Sequence, residues 1–154
     1  MSAARAERRA AARPARESRH RSREAALQML YQWEVGRVSM ADVRRTFWPL
    51  AGVDAVDEQR QAFAMRLADG VVTSVAELDP MIGEAAEHWR IERLNVLDRL
   101  ILRLAIYELL HEPETPAKVI INEALELART FSGDEAVRFV NGVLDAVRRK
   151  LQRS

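Results

Sequence analysis

The stretch Leu94-Asn-Val-Leu-Asp-Arg-Leu-Ile-Leu-Arg-Leu-Ala-Ile-Tyr-Glu-Leu-Leu110 decides the fold. Its apolar residues (Leu97, Leu100, Ile101, Leu102, Leu104, Ala105, Ile106 and Leu109) fall on nearly every side of a 3.6-residue helix, with no strand-like alternation. A helix that is hydrophobic all round has to be covered by neighbours on several sides. The stretch therefore predicts the central helix of a bundle.

Working outward, the same periodicity continues in both directions. Toward the N-terminus, Ala26, Met29, Leu30 and Trp33 form one stripe of a helix that starts near Ser18 and ends near Gly36. Ser39-Met-Ala-Asp42 resembles a capping box, and Trp48-Pro49 predicts the end of the helix it opens. Asp54 is placed to cap the next helix, which carries Phe63, Leu67, Val71 and Val75. Asp79-Pro80 and Thr115-Pro116 each read as an N-cap followed by proline at the first helical position, where the missing N–H costs nothing. Ser132-Gly133-Asp134 separates the helix carrying Val119, Ile120 and Ala124 from a last helix reaching about Leu151. No segment shows sustained β-type alternation. The expected fold is all-α, about seven helices around the buried central one.

The composition narrows the function. The 154 residues carry a net charge of +1 and no cysteine, and suit one domain able to bury a real core. Without cysteine there is no disulfide scaffold, thiolate metal site or Cys nucleophile. No run approaches the roughly 18–20 apolar residues of a membrane span, and no apolar segment near the start suggests a secretory signal. Glu7 and Glu17 argue against reading the Arg-rich start as an organellar transit peptide. The expected setting is cytoplasmic, with no membrane.

The near-zero charge is a sum of opposites. Residues 1–23 hold eight arginines (Arg5, Arg8, Arg9, Arg13, Arg16, Arg19, Arg21 and Arg23) against two glutamates, a net +6, so the rest of the chain carries −5. Residues 1–17, with seven alanines and five arginines, offer too little to pack and read as a disordered or nascently helical basic arm before a single domain over 18–154.

Catalytic patterns are missing. His20, His88 and His111 are scattered, with no H-E-x-x-H spacing for a metal. Glu123 with Glu126, or Glu84 with Glu87, has the i,i+3 spacing of a solvated helix face. No catalytic residue, metal or cofactor is expected, so the protein should act by binding. Guanidinium forks pair bidentately with phosphate, and their attraction to nucleic acid is salt-sensitive. The same arm also reads as a plain solubilising tail. Tyr31 lies at the edge of the first helix's apolar stripe, where it is either a peripheral core residue or a platform for an unpaired base. Phe139, on the flank of the Val140–Val143–Val147 stripe next to the polar face carrying Arg138, with Asn141 on the other flank, leaves the same choice between packing and RNA contact.

Four blocks then carry a family resemblance. Arg19-His-Arg-Ser-Arg-Glu-Ala-Ala-Leu-Gln-Met-Leu-Tyr31 resembles the N-terminal signature of the NusB family of transcription antitermination factors. Residues 98–110 look like its central helix. Val119, Ile121-Asn-Glu-Ala124 and Leu125-Glu-Leu-Ala128 match the following block, and Phe139-Val-Asn-Gly-Val-Leu-Asp145 is the most specific run. The resemblance implies two small helical sub-bundles and no catalysis. It also implies pairing with the ribosomal protein NusE, binding of boxA-type single-stranded RNA in nascent ribosomal transcripts, and assembly of an antitermination complex on RNA polymerase. By the same analogy Arg19, Arg21, Arg23, Tyr31, Arg138, Phe139 and Asn141 face RNA, and Asp98 faces the protein partner. Self-association through the partner surface stays open.

Two departures stand out. Glu135-Ala136 replaces an Asp-Ser pair common beside the family's RNA site, and His20 stands where a more basic residue is usual. Two rivals are weighed against this reading. One is a helical module that binds only protein. The other is a stand-alone relative of the N-terminal domain of rRNA cytosine methyltransferases, whose α/β domain would not fit in 154 residues.

Overall fold

In a computed structural model, the structure describes residues 3–50, 58–87 and 91–154, excepting the side chains of residues 4–17, 50 and 92. Asp54 and His88 lie outside the described residues. Among the described residues six helices follow in order: α1 (Ala3–Gly36), α2 (Met40–Leu50), α3 (Glu58–Ala85), α4 (Val96–His111), α5 (Ala117–Phe131) and α6 (Asp134–Leu151), with a 3-10 turn at Ile91–Arg93 before α4. Among the described residues there is no strand, and no helix is long and apolar enough to cross a membrane.

The apolar stretch behaves as its pattern requires. Helix α4 packs against α1 and α3 on one side and α5 and α6 on the other, so it joins two sub-bundles. Asn95 starts it by accepting the Leu97 N–H at 2.8 Å. Leu100, Ile101, Leu102, Leu104, Ala105, Ile106 and Leu109 are all buried. So are Arg103 and Glu108, which interrupt the run in the sequence. Each has a partner: Arg103 donates twice to Asp79 of α3 at 2.8 Å, and Glu108 accepts twice from Arg23 of α1. The charges are buried because they are paired.

Several boundaries differ from the sequence expectation. Asp79-Pro80 starts no helix, since α3 runs through it. The Asp79 carboxylate is taken by Arg103, and the fully buried Leu78 and Ile82 hold the helix on both sides of the proline. That packing outweighs the roughly 3 kcal/mol penalty of an internal proline. Pro116 is itself the capping residue of α5, one position later than the Thr115-Pro116 signature suggests. The capping box is real at one bond, Asp42 N–H donating to Ser39 Oγ at 3.2 Å. Gly133, at φ +107°, turns the chain between α5 and α6 in a conformation that disfavours any side chain. At the N-terminus, α1 continues back to Ala3 through the segment read as a disordered or nascently helical arm. Alanine and arginine are strong helix formers, and they extend a helix already nucleated by the packed part of α1.

One contact sets how closely α3 and α4 approach. A Cβ on Gly70 would lie 2.1 Å from Cζ of Tyr107. Gly70→Ala is therefore expected to destabilise the fold by about 1–3 kcal/mol through overpacking. Urea denaturation checks this, and adding Tyr107→Leu should restore most of the loss.

Candidate nucleic-acid interface

The residues expected to face RNA do not all lie on one surface. Arg23 must be withdrawn. Its guanidinium donates Nε to Glu108 Oε2 at 2.9 Å and Nη2 to Oε1 at 2.8 Å, and both side chains are only 2% exposed. Burial alone would weaken its hold on the proton, but the Glu108 bonds and charge more than offset that and raise its pKa. No phosphate reaches Arg23 in this position. It ties α1 to α4.

His20, on the next row of α1, is also occupied by acids. Its Nδ1 faces Glu123 Oε2 at 2.5 Å and its Nε2 faces Glu24 Oε1 at 2.7 Å. Partial burial lowers its pKa, yet hydrogen bonds and charge from Glu123 and Glu24 raise it overall. Its positive charge is thus directed at carboxylates of α1 and α5. Arg19 and Arg21 are exposed, and Arg19 lies over the Phe63 ring of α3. The arm arginines Arg5, Arg8, Arg9, Arg13 and Arg16 have side chains outside the described residues.

Tyr31 is 41% exposed, so its ring is available to a ligand and is not a core residue with a wet hydroxyl. It lines a groove of about 410 Å³ whose walls include Leu27, Phe47, Leu97 and Phe131. A second groove, of about 360 Å³, is lined by Phe139, Asp98, Ser132, Glu135 and Arg93. The two share a wall: Leu97 and Phe131 face the first, and their chain neighbours Asp98 and Ser132 face the second. Tyr31 and Phe139 therefore stand on either side of the first turn of α4. Arg138 and Asn141 are exposed on α6, Arg138 on its polar face and Asn141 on the flank opposite Phe139.

Asp98, expected to meet a protein partner, lies in the same groove as Phe139, expected to meet RNA. Its Oδ1 is buried without a hydrogen-bond partner, as is Ser132 Oγ. Ala136 leaves its position without a hydroxyl, but Ser132 supplies one to the same wall. Arg93 and Ser132 escaped the sequence reading. They sit in a 3-10 turn and at a helix end, where no periodicity marks a face.

A protein-family model described as the NusB family matches residues 20–149. This chain belongs to the NusB family. NusB relatives named transcription antitermination protein NusB include that of Koribacter versatilis, 46% identical over 134 residues covering 87% of this chain and 90% of the relative. That of Solibacter usitatus is 48% identical over the same coverage. Among solved structures, T. maritima NusB superposes with a TM-score of 0.77 at 33% identity, covering 86% of this chain and 91% of that one. The NusB chain of a NusB–NusE complex with dsRNA shares the fold, with a TM-score of 0.78 at 24% identity over 87% and 98% of the two chains. The NusB family is one of transcription factors and not of enzymes.

Proposed function

We propose that this chain is a transcription antitermination factor that binds boxA-type single-stranded RNA of nascent ribosomal transcripts together with the ribosomal protein NusE, and helps assemble the antitermination complex on RNA polymerase. The observation that carries this reading is the paired groove at the start of α4, with an exposed Tyr31 on one side and Phe139 on the other. Aromatic faces accept unpaired bases, and Arg93 and Arg138 supply cations beside them. Family relatives named for antitermination and a fold shared with a NusB–NusE–RNA complex support it. Asp98 at the groove edge and the acidic body suit a basic ribosomal protein, so RNA and partner would meet at a common seam. Self-association would use the same face in the absence of NusE.

Fluorescence anisotropy with a boxA-like RNA, with and without NusE, tests the proposal. Specific binding should strengthen when NusE is added and fall for a scrambled RNA. Tyr31→Ala and Phe139→Ala should each cost about 1–3 kcal/mol of RNA binding. Equal affinity for the two RNAs would instead favour a module that recognises protein alone.

A further inference from the structure

Three guanidiniums converge on a single ring at the α1–α3 edge. Arg19 lies 4.7 Å from the centroid of Phe63, Arg66 lies 5.0 Å from it and Arg23 lies 5.5 Å from it. Two of the three have carboxylate partners. Arg23 is held at both ends by Glu108, and Arg66 is held through Nε alone by Glu112 Oε1 at 2.8 Å. Arg19 has no carboxylate partner among the described residues. A ring face can hold a guanidinium flat and orient its edge, but it does not neutralise the charge. Arg19 and Arg66 are both exposed, so their remaining N–H groups point to a surface where an anion has access.

The seam beneath them is fixed. Ser22 Oγ donates to the Arg60 carbonyl at 3.0 Å, and Arg60 Nε donates to Ser18 Oγ at 2.9 Å, locking α1 against α3. The spacing of the two arginines is thereby set before any ligand arrives, which lowers the cost of binding. The edge is also distinct from the paired groove. Arg19 and Tyr31 are twelve residues apart and point about 120° apart around α1. Along α1 toward the N-terminus, arginine recurs in the sequence at positions 5, 8, 9, 13, 16 and 19. These positions cover about 20 Å of helix leading up to Phe63.

We propose that Arg19 and Arg66, set against Phe63, form a second RNA-backbone site, which takes a phosphodiester of the RNA flanking the recognised element. The proposal rests on the RNA-binding reading above but concerns a different surface. Guanidinium edges suit phosphate oxygens, and contact with the backbone adds affinity without reading sequence.

Anisotropy titrations of the full chain over a salt series test it, using the boxA-like element alone and the same element with an unstructured twelve-nucleotide extension on either side. The wild-type chain should bind one extended RNA more tightly. Arg66→Gln should remove about three- to tenfold of that gain and lower the log–log salt slope for the extended RNA by about 0.7, while leaving the short element unaffected. Arg19→Gln should likewise weaken binding of the extended RNA, with its cost on the short element measured separately because the family resemblance also places Arg19 on the RNA face. Arg66→Lys should recover most of the affinity, and an unchanged thermal unfolding midpoint by circular dichroism shows that each variant is folded. No gain from extension in the wild type, or a gain that survives both glutamine substitutions, would overturn the site. Equal binding of the element and a scrambled version would overturn specific recognition alone, and a persisting Arg66 dependence on length would still support the site.

Discussion

Arg23→Leu is expected to cost about 3–5 kcal/mol of folding stability, enough to threaten a domain of this size. The substitution removes one half of a buried, bidentate pair and strands the Glu108 carboxylate among the core residues of α4. The cost comes from the charge left behind more than from the lost attraction. The double variant Arg23→Leu/Glu108→Leu should therefore recover most of the loss, since neither charge is then buried. Urea denaturation followed by circular dichroism measures both, with the slope of the transition checking that the unfolding stays two-state. If the single variant kept its stability and lost RNA affinity instead, Arg23 would be a surface contact after all.

That residue also marks where sequence reading stops. Burial of α4 was legible because eight apolar residues surround the helix axis, a property of the stretch itself. The boundary position of Tyr31 and the flank position of Phe139 followed from the same periodicity, but the 41% exposure of Tyr31 did not, because a boundary position fits packing equally well. Arg23 belonged to a run of arginines whose local context is entirely polar. Its fate depends on Glu108, 85 residues later, and no local pattern records such a partner. Arg103 and Asp79 follow the same logic, and their pairing helps explain why Asp79-Pro80 fails as a helix start. His20 could be recognised as titratable and Glu24 shares its row four residues on, yet Glu123 was not legible, because it arrives from α5. Phe63 looked like an ordinary core residue of α3. Only the packing of α1 on α3 makes it the support for three guanidiniums.

Removing residues 1–17 is expected to produce the largest change in RNA affinity with the least change in stability. Among the described residues, the buried positions begin at Ser22, so the body should keep its melting temperature. The deletion takes away five arginines and two glutamates. If each arginine neutralises one phosphate of a single strand, the log–log salt slope falls by up to about 3.5, and by about 2 if the glutamates offset two of them. Loss of affinity should therefore be greatest at low salt, on the order of 10- to 1,000-fold, and shrink steadily as salt rises. It should also be shared by boxA-like and scrambled RNA, because backbone contacts carry no sequence information. Phe139→Ala should show the complementary behaviour: a loss confined to the specific RNA and nearly independent of salt, since stacking releases few counterions. The two variants together separate attraction from recognition. An unchanged slope after the deletion would mean that the arm does not touch phosphate, and the arginines over Phe63 would then have to account for the salt dependence that remains.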